Sequence, residues 1–165
     1  MKAFDPLVLH VVEKLLNRRA GTQTLSFGRS LDGTRDILLV TARELIDLLA
    51  VVPAARALRK RFPLSRIHVL ASERCAEVLA PRPEVFEVIP WSSQDALFSR
   101  TFLERIRALR AHPFDLAVAI DSGDERLGRV TAALSGAKLR LGMHPEGADP
   151  LLNLCTADTS QPCGA

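Results

Sequence analysis

One carboxylate in this chain stands where chemistry could be done. Asp47 follows a polar interval, Thr41-Ala42-Arg43-Glu44, which itself follows four apolar residues, Ile37-Leu38-Leu39-Val40. A short apolar run behind a turn signal (here Gly33-Thr34-Arg35-Asp36) reads as a strand buried on both faces. Beyond Asp47, apolar residues recur at helical spacing: Leu48, Val51, Val52, Ala55, Leu58 and Phe62. Arg59-Lys60-Arg61 suit a helix C-terminus, and Pro63 stops the helix. Strand, polar loop and helix make the first half of a βαβ unit, and the loop leaving such a strand is where ligands are met. Two readings of Asp47 stand side by side. It is a carboxylate accepting backbone N–H bonds at a helix N-terminus, or one at the ligand-facing end of a sheet, available as a general base. Thr41, Arg43, Glu44 and Ile46 share its loop and are the first candidate substrate contacts. A second loop, Asp121-Ser122-Gly123-Asp124, leaves another apolar strand and supplies the rest.

The elements that must position these residues follow from periodicity and punctuation. Ser65 to Ala71 alternate and then turn apolar, a second strand; Ser72 is placed to cap a short helix with Cys75, Ala76, Val78 and Leu79 on its buried side. Val85 to Ile89, followed by Pro90, reads as a sheet-edge strand. Phe102, Leu103, Ile106 and Leu109 mark a helix with Arg100, Glu104, Arg107 and Arg110 on its solvated face, ended by His112-Pro113. Phe114 to Ile120 is a buried strand, residues 124–135 a helix stopped by Gly136, and Lys138 to Gly142 a last strand. Helical connections between strands predict an α/β, doubly wound, Rossmann-like parallel sheet of five strands in the order 3-2-1-4-5, with helices on both faces. The switch point then lies between the ends of the first and fourth strands, at Val40 and Ile120, and both candidate loops are there.

The organisation expected is an N-terminal amphipathic helix and linker over 1–35, the α/β domain over 36–143, and an irregular tail over 144–165. In the first part, Asp5 and Pro6 open a helix through Arg19 whose stripe is Leu7, Val8, Val11, Val12, Leu15 and Leu16. Such a stripe packs on its own domain or rests on an anionic membrane surface. Pro53 inside the first long helix implies either a kink or the start of a second helix.

Composition narrows the classes. At 165 residues with 47% hydrophobic and 25% charged content, the chain suits one soluble domain. A net charge of +3, no Tyr and one Trp argue against nucleic acid as a partner. Cys75, Cys155 and Cys163 have no CxxC spacing and read as reduced thiols of a cytoplasmic protein. No stretch approaches the roughly 18 apolar residues of a membrane span. There is no GxGxxG after the first strand, no GxxxxGK[ST] and no Gly-x-Ser-x-Gly elbow. Dinucleotide binding, P-loop hydrolysis and serine hydrolysis are therefore set aside. His10, His68, His112 and His144 are scattered, so no metal site and no cofactor is expected.

From Ile37 through Gly142 the chain resembles the N-terminal half of the ADP-heptose:lipopolysaccharide heptosyltransferases, glycosyltransferase family 9. The resemblance is carried by Leu45-Ile46-Asp47, by Pro53-Ala54-Ala55-Arg56-Ala57-Leu58-Arg59 with Phe62-Pro63, by Pro83 to Ile89, by Phe114 to Asp121, and by Leu134 to Gly142. It implies a Rossmann-like domain of a two-domain GT-B transferase. This half would receive a sugar or lipopolysaccharide-core acceptor at the cytoplasmic side, peripheral to the inner membrane. A donor-binding domain, here on another chain, would hold the nucleotide-sugar, so the lone chain is expected to be inactive. Asp47 takes the place of the catalytic base. Two positions depart from the family pattern: Ile46 replaces a glycine, and Ser122-Gly123-Asp124-Glu125 replaces a Gln-Gly loop. They keep open an alternative, a truncated or repurposed domain that binds without catalysing.

Overall fold

The computed structural model describes residues 31, 33–41, 46–91, 99–120, 127–143 and 151–156, with backbone alone at 46–48, 127, 143 and 154–156. The expected helix at 6–19 lies outside the described residues, as do Arg43, Glu44 and the loop 121–124.

Strands β1 (Asp36–Thr41), β2 (Arg66–Ala71), β3 (Glu87–Pro90), β4 (Leu116–Ile120), β5 (Leu139–Met143) and β6 (Leu154–Thr156) alternate with helices α1 (Ile46–Arg61), α2 (Glu73–Leu79), α3 (Arg100–Ala111) and α4 (Leu127–Leu134). All pairings are parallel, and the sheet order is β3-β2-β1-β4-β5-β6. The expected 3-2-1-4-5 arrangement is present within it. The sheet then goes one strand further: β6 pairs with β5 where an irregular tail was expected.

Period-two alternation sorts the central strands onto two cores. Ile37 and Leu39, with Ile67, Val69 and Ala71, face Val51 and Ala55 of α1 and Cys75 and Leu79 of α2. Leu38, Val40 and Leu70 face the other way, onto Phe102, Ile106 and Leu109 of α3 and Ala132 of α4. A strand covered on both sides has no polar face to show, which is why residues 37–40 form an unbroken apolar run.

Helix α1 is continuous through Pro53. The proline is on the exposed side, so the backbone bond it cannot donate is missing where water can replace it. Ser72 caps α2, its side chain accepting from the Cys75 N–H, and Ser99 caps α3 by accepting from the Phe102 N–H at 3.1 Å. Val78 and Leu103, expected inside, are 46% and 40% exposed. Both have the helical spacing of buried positions, but Val78 lies on α2 beside the edge strand, where less sheet remains to cover it. Gly136 follows α4 at φ 84°, a conformation that favours glycine and ends the helix.

The β5–β6 seam is fastened by side chains. Asn153 accepts from the Arg140 N–H at 2.6 Å and donates its Nδ2 to the Lys138 carbonyl at 2.9 Å. Arg140 in turn donates to the Leu151 carbonyl at 2.9 Å. Leu151 and Leu152 are buried, and Gly142 leaves room for Leu152: a Cβ on that glycine would lie 2.7 Å from Leu152 Cδ1.

Candidate functional site

Parallel strands point their carboxyl ends the same way, and at a switch point the two connections run to opposite faces, leaving a crevice. Here β1 and β4 are neighbours, with Thr41 in register with Ile120. The stems of the two candidate loops therefore lie about 4.8 Å apart, in adjacent strands. Thr41 is buried, and its hydroxyl donates to the Leu70 carbonyl at 3.2 Å. That bond ties the end of β1 to β2 and commits the hydroxyl to the sheet.

Ile46 and Asp47 are the first two residues of α1, placed directly beyond the loop that leaves β1. Asp47 is thus in a first helical turn, where N–H groups lack intrahelical partners and a negative charge is favoured. The helical backbone at Ile46 is one that any L-residue adopts, so a side chain there carries no penalty of the kind glycine relieves. Arg43, Glu44, Asp121, Ser122, Gly123 and Asp124 are outside the described residues. Of the sequence-derived set, the structure brings Thr41, Ile46 and Asp47 to one end of the sheet.

Trp91 belongs to the same end, directly after β3. Its N–H donates to the Ala71 carbonyl at 2.7 Å, continuing the β2–β3 ladder. Its ring stands edge-on to Phe102, centroids 5.5 Å apart, beneath the Arg105 guanidinium at 6.0 Å. Arg105 also donates to the Pro90 carbonyl at 3.2 Å. The signal available was a large aromatic directly after a strand-ending proline.

The amino ends of the strands carry a different constellation. Arg66 holds Asp36 in a two-pronged pair, both contacts 2.8 Å. His68 is buried between two carboxylates, Nδ1 at 3.0 Å from Glu87 Oε2 and Nε2 at 3.4 Å from Asp36 Oδ1. Asp115 accepts from the N–H groups of Arg35 and Asp36 at 3.0 and 3.3 Å and from Lys138 Nζ at 3.0 Å. The Arg66 guanidinium, aided by His68, holds the Asp36 carboxyl below its usual value. For Asp115, burial pushes the other way, but the two backbone N–H donors and the Lys138 ammonium outweigh it, and the carboxyl is also lowered. Among the described residues, no group of three or more His, Cys, Asp or Glu is placed to hold a metal ion. None of the helices among them is long and apolar enough to cross a membrane.

The strand order defines a doubly wound α/β domain with its switch point between β1 and β4. No protein-family model matches the chain, and no curated sequence matches it. Solved structures do. The chain is similar to Escherichia coli ADP-heptose lipopolysaccharide heptosyltransferase II, with 25% identity and a TM-score of 0.61 over 76% of this chain and 36% of that one. It shares its fold with E. coli heptosyltransferase WaaC, solved with ADP (19% identity, TM-score 0.57, 74% of this chain, 41% of the other). It also shares it with a family 9 glycosyl transferase from Veillonella parvula DSM 2008 (24%, 0.58, 69% and 32%). The chain is heptosyltransferase-like, and it spans about a third to two fifths of the length of these proteins.

Proposed function

We propose that this chain is the acceptor-binding half of a GT-B glycosyltransferase of the heptosyltransferase type. The observation that carries the reading is the place of Asp47, in the first turn of α1 just beyond the carboxyl end of β1. That turn stands beside the β1–β4 switch point, on a fold shared with heptosyltransferase II. In the reaction, the Asp47 carboxylate takes the proton of an acceptor sugar hydroxyl as that oxygen forms its bond to the anomeric carbon of the donor. The bond from that carbon to the nucleoside diphosphate breaks, and its electron pair leaves with the diphosphate. Arg43, Glu44 and Ile46 from the first loop and Asp121, Ser122, Gly123 and Asp124 from the second hold the acceptor, and Thr41, bonded to Leu70, fixes the strand end from which the first loop springs. The donor is held by a second domain supplied from outside these 165 residues. The acceptor is a lipopolysaccharide-core sugar, and the complex works at the cytoplasmic face of the inner membrane.

The test is reconstitution. The chain alone, given ADP-heptose and deacylated lipopolysaccharide core, is expected to form no product. Joined to a donor-binding domain it is expected to form product, and Asp47→Asn should abolish transfer without loss of acceptor binding. Transfer by the Asp47→Asn complex would remove Asp47 as the base. An inactive parent complex that Ile46→Gly also leaves inactive would favour the non-catalytic binding domain.

A further inference from the structure

A groove of about 290 Å³ opens at the amino end of the sheet, away from the crevice, between the turn that enters β1 and the turn that follows α1. Leu31, Phe62, Pro63 and Leu64 give it an apolar lining, and Leu31 and Phe62 also pack in the core under α1. Arg35 and Arg61, both exposed, stand in the same walls, with the Arg61 guanidinium over the Phe62 ring at 5.1 Å. No acid is among the described residues that line it. The carboxylates at the neighbouring strand starts, Asp36 and Asp115, are engaged by Arg66 and Lys138. Leu64 is 90% exposed at the rim. A bare leucine on its own needs no explanation. One framed by two arginines, beside a recess that opens onto the core, marks a place of contact.

We propose that this groove docks the chain on a surface of anionic phospholipid. Charge and polarity together choose the occupant. Lipid phosphates supply negative charge for Arg35 and Arg61, with Lys60 exposed beside them in the last turn of α1. The first acyl carbons beneath those phosphates are apolar and cover Leu64 and the lining. Arginine suits such a boundary, since its stem lies along apolar surface while its head stays with the phosphates. A free anion would leave Leu64 bare. An apolar peptide would take the two guanidinium groups out of water without supplying a partner, which is costly. The docking surface is the face by which the complex proposed above meets its membrane. It lies at the opposite end of the strands from Asp47, so a vesicle assay and a transfer assay fail separately.

Sedimentation of the full chain with vesicles tests this. The chain is expected to bind phosphatidylcholine vesicles containing about one third phosphatidylglycerol, and to bind phosphatidylcholine alone at least about tenfold more weakly. Arg35→Gln with Arg61→Gln should weaken binding about 30-fold, at roughly fivefold per cation. Leu64→Ala should weaken it about fivefold with charge unchanged. All three side chains are exposed, so the melting temperature should move by no more than about 2 °C. Should the arginine pair prevent folding, each single substitution gives the same test at about fivefold. No binding by the parent chain, or equal binding to phosphatidylcholine alone, overturns the proposal. Binding that these substitutions leave unchanged places the contact elsewhere on the chain and overturns it equally. Loss with the arginine pair but none with Leu64→Ala would make the groove an anion site only, and the proposal fails.

Discussion

The two ends of the sheet are built from different materials. At the amino ends, charged side chains cross from strand to strand: Asp36 to Arg66, His68 between Asp36 and Glu87, Asp115 to Lys138. At the carboxyl ends, hydroxyls turn inward, Thr41 onto a neighbouring carbonyl and Ser72 and Ser99 onto helix N-termini, and Arg105 donates to the Pro90 carbonyl. One end spends its charges on holding strands together. The other turns its described side chains onto backbone groups at strand ends and helix starts. A doubly wound sheet separates stability from function in this way because only the carboxyl ends border a crevice.

The largest effect that would sharpen the contrast is at Asp47. Asp47→Asn should cost the reconstituted enzyme a factor of about 10²–10⁴ in rate, while moving stability by only about 0.3–1 kcal/mol, the share of a carboxylate charge in a first helical turn. Equal loss of stability and rate would erase the division between the two ends. Next comes Gly142→Ala, near the carboxyl end of β5, where the added methyl meets Leu152. Overpacking there should destabilise by about 1–3 kcal/mol, and Leu152→Ala in the same chain should recover part of it; urea unfolding of the three proteins checks this.

At the amino end, Asp115→Ala should cost about 1–2 kcal/mol, since three donors lose one acceptor that is already 25% exposed. The pH dependence has a definite sign. Asp36 and Asp115 are both held below the ordinary value of 3.8, so their contribution is complete above that value. It is lost as pH falls through the depressed folded value. Acid unfolding of Asp36→Asn and Asp115→Asn proteins should therefore show a shallower loss of stability below about pH 4 than the parent. The smallest effect is Ser99→Ala, about 1 kcal/mol by thermal melting, from removal of the α3 cap.

Sequence carried the interior of the fold well, because a doubly covered strand must be an apolar run and a covering helix must repeat its apolar residues. Residues 37–40 and the stripe Phe102, Ile106 and Leu109 could be little else. It failed where burial depends on what lies at the margin. Val78 and Leu103 have the period of core residues, and no local rule shows that the cover runs out. It failed again at β6, whose approach, Leu151-Leu152-Asn153, is fixed to β5 by the bonds of Arg140 and Asn153 across the seam. The switch point between β1 and β4 was legible as a place. Its other supports were not. Thr41 looks like a ligand contact until its bond to Leu70 is seen, and the His68 cluster gathers residues from three strands that no spacing connects.

The strand order also bears on how the chain acquires its shape. β1, β2 and β3 pair with close neighbours in sequence, as do β4, β5 and β6. Only the β1–β4 pairing, Ile37 to Leu116 and onward, joins the two sets, and it closes the longest loop. Closing a long loop carries more entropic cost, and distant pairings form slowly. The crevice is therefore expected to be the last part of the sheet to exist, created when two three-stranded halves meet. Pulse-labelled hydrogen exchange during refolding reads this directly. The Arg66 amide, which donates to Arg35, should gain protection before the Asp115 amide, which donates to Asp36 across the seam. Simultaneous protection of the two would mean that the halves never exist apart.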